Sequence, residues 1–270
     1  MDTNSFKSRV KGSIKVFLGM AIAIPRIKEE KFYCPVCDSN LTEYLRMPDH
    51  YEANLDAFGF IHSSFLFETI NRIQYACPKC WASDRYRLYA LYLNKEFANI
   101  NESYKVLDFA PPAAFQRYIK RKFNSIHHRS ADFLQECYDD KVDITRMDLY
   151  ADNSFDFFIC SHVLEHVEDD KKGMSELYRV LKPGGKGIAM VPILLSLDKD
   201  YEDPSIKTAE DKWRHYGQDD HVRMYSKPGF VNKLKDTGFK VNQLGIDYFG
   251  AEVFIKNGIH PRSVLYIVEK

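Results

Sequence analysis

The chain has 270 residues, of which 45% are hydrophobic and 14% aromatic, enough to bury one large α/β core with a small appendage but too few for several independent cores. Lys and Arg together number 38, as do Asp and Glu, so the formal net charge is zero. This balance excludes a general basic surface of the kind that holds nucleic acid through its phosphates. We therefore expect a folded protein that acts on something other than nucleic acid.

Residues 1–30 predict a basic amphipathic helix, because apolar side chains recur at helical spacing while lysine and arginine take the other positions. The apolar run 16–24 is nine residues long and ends at Pro25, whereas a membrane-spanning helix needs roughly 20. We expect the helix to pack on its own domain or on a second subunit. Peripheral contact of residues 6–24 with the inner face of the membrane is the main alternative. A signal peptide is a weaker one, because no small-x-small cleavage site follows.

Residues 31–82 carry two C-x-x-C pairs, made by Cys34, Cys37, Cys77 and Cys80. Each pair fits a tight turn that brings two sulfurs onto one ion, and two pairs supply the four thiolates of a structural zinc site. Six cysteines are few for a secreted disulfide protein of this length, so a cytoplasmic location is expected. A redox dithiol, which needs only one pair, and two disulfides in an oxidising compartment stay open as weaker alternatives.

From residue 83 onward, apolar strands alternate with helices. Ser83 is placed to cap a helix that runs to about Phe97. Further helices are expected at 113–123 and from 169 to about 182, and strands at 106–108, 126–130, 142–144, 155–160, 187–191, 241–244 and 264–268. This order predicts an α/β domain over 83–270 with a Rossmann-like, seven-stranded, mostly parallel sheet. The last two strands are joined by too little chain for a crossover helix and should pair antiparallel.

A parallel sheet covered on both faces binds its ligand at the carboxyl ends of its strands. Three of the four strand ends concerned carry a carboxylate, namely Asp108, Asp132 and Asp143, and the fourth is Cys160. The loops after these residues are therefore the predicted site.

Two runs later in the chain resemble a known family. FDFFICSHVLEHV at 155–167, followed by ELYRVLKPGG at 176–185, resembles the fourth strand and following helix of class I S-adenosylmethionine (SAM) dependent methyltransferases, in particular the type 11 group. The resemblance covers about residues 104–270. The four-cysteine segment leading into Ser83–Arg87 is similar to the front end of a bacterial subset of that group. The resemblance implies a methyltransferase that uses SAM and carries an N-terminal zinc-binding segment.

The resemblance also implies which residues bind the cofactor. The loop after Asp108 would wrap the methionine part, Asp132 would accept hydrogen bonds from the ribose hydroxyls, and Asp143 with the Ile144 backbone would face the adenine edge. The implied set is Asp108, Phe109, Ala110, Pro111, Asp132, Asp143, Ile144, Ser161 and His162.

The chain departs from the family in the loop after Asp108, where glycines usually allow the backbone close to the cofactor. Here Ala110 stays small, but Pro111 and Pro112 fix φ and remove two N–H donors. A methyltransferase fold that has lost its activity and serves as a scaffold therefore stays an alternative.

His162 is a candidate general base toward an acceptor hydroxyl, with packing against the cofactor as the alternative. Residues His162–His166 also spell the H-x-x-E-H pattern of the inverted zinc proteases. We reject that reading, because the residues fall at a strand-to-helix junction and no third ligand is evident. Glu165 and His166 are expected to hold the loop.

Residues 194–224 form a long polar stretch that predicts a functional lid, a solvated acidic insertion being the alternative. His221 and Arg223 are its candidate catalytic residues, as base and substrate clamp. We expect the acceptor to be a small molecule or a saccharide-type glycan precursor that is methylated at oxygen. A zinc-bearing RNA methyltransferase is the alternative that the basic cluster at 117–122 would favour.

Overall fold

The computed structural model describes residues 29–100, 103–134 and 137–270. Nearly all of the predicted N-terminal basic helix lies outside these ranges, so its packing and its membrane contact stay predictions. Among the residues that the structure describes, no helix combines the length and the hydropathy that crossing a bilayer requires.

The cysteine-bearing segment contains little regular structure. It opens with a short antiparallel hairpin of β1 and β2, continues through one helix, α1, and a single 3-10 turn, and leads into helix α2. The bounds are β1 Phe32–Cys34, β2 Ser39–Leu41, α1 Asp49–Ala57, the 3-10 turn Ser64–Leu66 and α2 Asp84–Glu96. Between these elements the chain needs other restraints to keep its shape.

Helix α2 occupies the predicted range, and Ser83 stands at its N-cap position. The prediction that the Ser83 side chain caps the helix is wrong, since its hydroxyl is buried and makes no hydrogen bond with the described residues. The first turn closes through the backbone instead, where Arg87 N donates to Ser83 O at 3.1 Å. Leu88 and Leu93 are fully buried, so α2 packs firmly against the main core.

The main sheet has seven strands in the order β5-β4-β3-β6-β7-β9-β8. The first five strands in this order are parallel to one another, and β9 runs antiparallel to both β7 and β8. The bounds are β3 Lys105–Phe109, β4 His127–Asp132, β5 Asp140–Lys141, β6 Phe155–Ser161, β7 Leu181–Met190, β8 Lys240–Leu244 and β9 Leu265–Glu269. The predicted seven-stranded α/β architecture is confirmed. It follows the doubly wound order of a Rossmann sheet, with an antiparallel strand inserted near one edge.

Two predicted strand boundaries are wrong. The third strand is Asp140–Lys141 rather than 142–144, because Asp143 accepts hydrogen bonds from Thr145 and turns the chain there. Strand β7 begins at Leu181 rather than 187. Leu181 pairs with Phe155 before a bulge, and regular pairing resumes at Lys186. The proline and glycines at 183–185 therefore lie inside an irregular strand instead of a loop after a helix.

Three of the six remaining helices of the described residues begin at a side-chain cap. Asp169 caps α4 by accepting from Lys172 N at 2.9 Å, and Ser226 caps α6 by accepting from Gly229 N at 3.0 Å. The bounds are α3 Ala113–Lys122, α4 Asp170–Val180, α5 Ala209–Tyr216, α6 Lys227–Asp236, α7 Ile246–Phe249 and α8 Ala251–Lys256.

The cysteine-bearing segment shares the core of the sheet domain. Cys34, Leu41 and Cys77 belong to the same buried hydrophobic cluster as the central strands. The guanidinium of Arg87, which is fully buried, donates hydrogen bonds to five backbone carbonyls on either side of this junction. Their owners are Gln74, Tyr75, Ala82, Asn257 and Gly258.

The stretch 194–224 is folded rather than a polar loop. It contains α5 and builds a second small hydrophobic cluster from Leu194, Tyr216 and Met224, which Phe67 of the cysteine-bearing segment joins. Phe67 also forms a β-bridge with Leu194. The insertion and the cysteine-bearing segment therefore pack on each other above one end of the sheet.

Candidate functional site

The four predicted metal ligands come together. One sulfur atom from each of Cys34, Cys37, Cys77 and Cys80 lies within 4.8 Å of the others, and the Cys34–Cys80 and Cys37–Cys77 sulfur distances are both 3.8 Å. Tetrahedral Zn–S bonds of about 2.3 Å place neighbouring sulfurs roughly 3.8 Å apart. All four cysteines are free, so the donor set fits a zinc ion, whereas the disulfide alternative finds no support.

Asp108 is enclosed by the sheet. It is 1% exposed, and its Oδ2 lies 3.0 Å from Nε2 of His128 on the neighbouring strand. Burial raises the pKa of Asp108, and the hydrogen bond and charge of His128 oppose that rise. Phe109, the next residue, is also buried. Asp108 is therefore a fixed, paired carboxyl at the base of the predicted cofactor loop.

The loop after Phe109 keeps a shape that favours glycine. Ala110 has a φ of 47°, in the left-handed region that side-chain-bearing residues seldom adopt, and its N–H donates to Ala131 O at 2.9 Å. The Pro111 carbonyl accepts from Gln116 Nε2 at 3.0 Å and from the Tyr138 hydroxyl at 3.3 Å. A backbone conformation that favours glycine is thus adopted here by an alanine.

Asp132 and Asp143 lie at the carboxyl ends of neighbouring strands. Asp132 pairs in register with Lys141, two residues before Asp143. The Asp132 side chain is half-buried and accepts from Leu134 N at 2.7 Å, whereas Asp143 is exposed and accepts from Thr145.

The Ile144 side chain is buried next to Gly173 of α4, which leaves only its backbone for the predicted adenine contact. Burial raises the pKa of Tyr138, and the charges of Cys137, Asp132 and Asp108 raise it further. Asp108 and Asp132 therefore both influence the Tyr138 hydroxyl through their charge. The roles of the three acidic residues toward a cofactor stay predictions.

Strand β6 delivers Ser161 and His162 to the same edge. The Ser161 hydroxyl is 2.8 Å from the Tyr89 hydroxyl. His162 has a φ of 56°, a strained conformation for a histidine, and its N–H donates to Met190 O at 2.8 Å. Burial lowers the pKa of His162 to about 4, and the charge of Arg85 lowers it while Glu165 raises it. The His162 imidazole is therefore neutral near pH 7.

Glu165 lies among three imidazoles, an arrangement that the sequence analysis missed. It is fully buried, and neither of its carboxylate oxygens accepts a hydrogen bond from the described residues. Its Oε1 is 3.1 Å from His162 Nδ1 and 4.0 Å from His166 Nε2, and His221 completes the group. Burial alone would raise the pKa of Glu165, but the nearby histidines lower it to about 2. We call Glu165, His162, His166 and His221 the Glu165 cluster.

Arg223 holds the loop that carries this cluster. Its guanidinium donates to Leu164 O at 2.9 Å, to Glu168 O at 2.8 Å and to the Glu202 carboxylate at 2.7 Å, and the residue is 2% exposed. It is not among the residues that line the cavity described next. The predicted role of substrate clamp is untested, and these contacts favour a positioning role.

A cavity of about 230 Å³ lies between the cysteine-bearing segment and the carboxyl edge of β6 and β7. His162 and His221 line one side, and the cysteine-bearing segment and the start of α2 line the other. The residues from that second side include Met47, His50, Tyr51, Tyr75 and Arg85.

Arg85 is a charged cavity residue that the sequence analysis missed. It forms no ion pair within the described part of the chain, its Nε is buried without a hydrogen-bond partner, and its guanidinium carbon lies 5.4 Å from the centre of the Tyr86 ring. Nothing in the S-D-R-Y-R run distinguishes Arg85 from Arg87, whose guanidinium donates hydrogen bonds to five backbone carbonyls instead.

Comparison with known proteins finds similarity within the sheet domain. Residues 126–189 match the family described as a methyltransferase domain. The ubiquinone/menaquinone biosynthesis C-methyltransferase UbiE of Klebsiella pneumoniae is 31% identical over 114 residues, which is 37% of this chain and 43% of that protein. UbiE of Bdellovibrio bacteriovorus is 28% identical over 131 residues, 44% of this chain and 55% of that protein. The chain thus spans about half the length of the curated relatives it matches.

A crystal structure of a SAM dependent methyltransferase from Archaeoglobus fulgidus is also similar. It has 15% sequence identity and a TM-score of 0.44, and the match covers 71% of this chain and 96% of that chain. The family match over 126–189 includes the S-x-x-L-E-H-V and K-P-G-G runs on which the sequence prediction was based. The strand order of the sheet agrees with the α/β methyltransferase fold that the sequence predicted.

Proposed function

We propose that the protein is a SAM-dependent methyltransferase that binds SAM at the carboxyl edge of β3 to β6 and takes its acceptor into the cavity beside His162. The observation that carries the proposal is this cavity, which adjoins the strand edge where a doubly wound sheet binds its ligand. The glycine-like turn at Ala110 and the carboxylate of Asp132 support cofactor binding at that edge.

The acceptor we propose is a compact small molecule, such as a saccharide-type glycan precursor, that carries a hydroxyl and a negative charge. The Arg85 guanidinium, whose Nε has no hydrogen-bond partner among the described residues, supports the negative charge, because a half-buried cation is stabilised by an anionic ligand. The cavity volume of about 230 Å³ is below the roughly 300–1,000 Å³ of pockets for drug-sized ligands, which favours a compact acceptor.

When bound, SAM supplies an electrophilic methyl group on a sulfonium. Arg85 would hold the charged group of the acceptor so that its hydroxyl oxygen lies in line with that methyl. The neutral imidazole of His162 would accept the hydroxyl proton as the oxygen–carbon bond forms and the carbon–sulfur bond breaks. The apolar cavity wall, which includes Phe67 and Ile193, would exclude water from the acceptor.

We propose a structural zinc ion at the four cysteines. The ion would leave no coordination position for a substrate. It would instead anchor the two ends of the segment 38–76, which supplies Met47, Tyr51 and Tyr75 to the cavity wall. Zinc would thus support acceptor binding through the shape of the wall.

Calorimetric titration with SAM and with its demethylated product tests cofactor binding. We expect saturable binding of both, and the absence of binding at millimolar ligand would favour an inactive scaffold. A screen with methyl-labelled SAM against phosphorylated and carboxylated hydroxyl compounds tests the acceptor class. The product should carry a methoxy group, and transfer to carbon or to RNA would contradict the oxygen or small-molecule part.

The variant Arg85→Gln is expected to raise KM for the acceptor more than tenfold without changing SAM affinity, since a charge-assisted contact is worth about 1.5–3 kcal/mol. Arg117→Gln, an exposed arginine on α3, is the matched control. Equal acceptor KM in the two variants would refute the role of Arg85.

A further inference from the structure

We propose that the Glu165 cluster binds a divalent cation, in addition to the ion at the four cysteines. The ligands would be a carboxylate oxygen of Glu165 and Nε2 of His166 and of His221, with His162 beside them. One ligand atom each of Glu165, His166 and His221 lies within 4.8 Å of the others, and His162 Nδ1 is 3.1 Å from Glu165 Oε1.

The buried carboxylate is the first observation that points to a cation. Glu165 is 0% exposed and both of its oxygens lack a hydrogen-bond partner among the described residues. Isolated buried carboxylates are strongly unfavourable, and proteins pair them with a cation or coordinate them to a metal. No lysine or arginine of the described ranges forms an ion pair with Glu165, whose ion-pair partners there are the imidazoles of His162 and His166.

The outer contacts of the histidines are the second observation. His221 Nδ1 lies 3.2 Å from the Tyr216 carbonyl oxygen, and His166 Nδ1 lies 3.1 Å from Oδ2 of Asp220. Metal-binding histidines usually donate their second ring N–H to a carbonyl or carboxylate in this way. Both contacts place the proton on Nδ1 and leave the Nε2 lone pair for the cluster.

The distances fit ligands that share one ion. Bonds of about 2.1 Å place neighbouring ligand atoms roughly 3.0–3.5 Å apart and opposite ones roughly 4.2 Å apart. His162 Nδ1 and Glu165 Oε1 are 3.1 Å apart, and His166 Nε2 and Glu165 Oε1 are 4.0 Å apart.

The backbone holds the distant ligand in place. Val222 N donates to Glu165 O at 2.9 Å, and Arg223 binds the Leu164 carbonyl of the same turn. His221 is therefore the third ligand that was not evident in the H-x-x-E-H sequence. The protease reading stays rejected, because the ligands lie on a 3-10 turn, Leu164–His166, after a strand of the methyltransferase sheet rather than on one α-helix.

The cation would face the acceptor cavity, since His162 and His221 line it. Imidazole and carboxylate donors suit Zn²⁺, Fe²⁺, Co²⁺ or Mn²⁺, and a site with only protein ligands on one side keeps open positions for an incoming oxygen. An acceptor hydroxyl bound there would lose its proton more easily. This last role rests on the proposed methyltransferase function, whereas cation binding does not.

Titration with Mn²⁺, followed by the electron paramagnetic resonance signal of the free ion, tests the proposal. Mn²⁺ prefers oxygen and nitrogen donors, which separates the cluster from the four thiolates. The full chain is dialysed against a chelator and then against metal-free buffer, and circular dichroism checks that it stays folded. We expect one Mn²⁺ per chain.

The variants assign the ligands. His166→Gln removes a solvent-accessible ligand, so it should fold normally and raise the Kd for Mn²⁺ at least tenfold. Asp220→Asn, which changes only an outer contact, should raise it about 10-fold to 100-fold. Glu165→Gln should abolish binding if it folds. His50→Gln, an exposed histidine on the cavity rim, is the matched control and should leave the Kd unchanged.

Two outcomes would overturn the cation site: no Mn²⁺ binding by the unaltered chain, or equal Kd values for His166→Gln and His50→Gln. SAM titration of the same samples separates this result from the proposed function. Binding of SAM without Mn²⁺ would refute only the cation site, and binding of Mn²⁺ without SAM would refute only the methyltransferase.

Discussion

The replacement Arg87→Met should destabilise the whole protein. Methionine keeps the unbranched stem of Arg87 but removes all five of its hydrogen bonds to backbone carbonyls, at distances that include 2.7 Å to Asn257 O and 2.9 Å to Ala82 O. It also removes the guanidinium that lies 3.9 Å from the centre of the Tyr44 ring. Each stranded buried carbonyl costs about 1–3 kcal/mol, and part of that cost is recovered because some carbonyls find water or new partners.

We therefore expect the free energy of unfolding to fall by about 3–5 kcal/mol. Stability of a folded chain is of order 5–15 kcal/mol, so this change is large. Arg87→Lys keeps the charge but has only three donors for five carbonyls, and it should lose about 2 kcal/mol. Two of the carbonyls belong to Tyr75 and Ala82, close to Cys77 and Cys80. Both variants should therefore also release zinc to a chelator faster than the unaltered chain.

Urea unfolding followed by circular dichroism measures the effect, and the melting temperature of Arg87→Met should fall by on the order of 10 °C. Arg117→Met, at an exposed arginine, is the control and should stay within about 0.5 kcal/mol of the unaltered chain. If Arg87→Met matched this control, the inference that Arg87 fastens the cysteine-bearing segment to the sheet domain would be refuted.

Three further predictions concern separate parts of the chain. Glu176 accepts from Met147 N at 2.8 Å and pairs with Arg179, and the Arg179 hydrogen bond lowers the pKa of Glu176 against the effect of burial. Glu176→Gln should therefore lose about 1–3 kcal/mol of stability at pH 7 in urea unfolding. The loss should shrink as the pH falls below about 4.3, because protonation removes the same interaction from the unaltered chain. Cys34→Ser should lower both the zinc content measured by mass spectrometry and the melting temperature, because metal binding contributes to folding. Asp132→Asn should raise the Kd for SAM about tenfold in calorimetry, through loss of a charged acceptor.

Each of the three has a matched control of the same residue type. Glu168→Gln and Asp148→Asn change exposed carboxylates, and Cys137→Ser changes an exposed cysteine outside the metal cluster. A pH-independent loss for Glu176→Gln would contradict the ion-pair explanation. Retained zinc in Cys34→Ser would contradict the four-thiolate site. Unchanged SAM affinity in Asp132→Asn would contradict the predicted contact between Asp132 and the ribose hydroxyls.

The sequence predicted the parts of the fold that local patterns determine. Buried strands such as Phe155–Ser161 are visible in the sequence as apolar runs. The two C-x-x-C pairs likewise predict that four sulfurs meet at one ion. Strand β5 has only two residues, and its position is set by pairing with β4 and by the turn at Asp143. No property of the segment 140–144 taken alone could locate it.

The candidate site was predictable only in part, for the same reason. His162 and His221 were recognised singly, but their meeting at Glu165 depends on how the insertion folds over the sheet. Arg85 and Arg87 are two residues apart and chemically identical. Arg87 donates hydrogen bonds to five backbone carbonyls, whereas Arg85 lines the cavity. The difference arises in part from the tertiary contacts of Arg87 with Asn257 and Gly258, which the local sequence does not reveal.

The cavity wall contributed by residues 47–75 has a consequence for how specificity is encoded. The proposed methyl donor is held by loops of the sheet, whereas much of the acceptor surface belongs to a segment fastened by cysteines and by Arg87. Substitutions within that segment can change the shape of the cavity while the loops proposed to bind SAM stay unchanged. Exchanging this segment between related chains should therefore change the acceptor that the proposed methyltransferase takes, without altering the residues proposed to bind SAM.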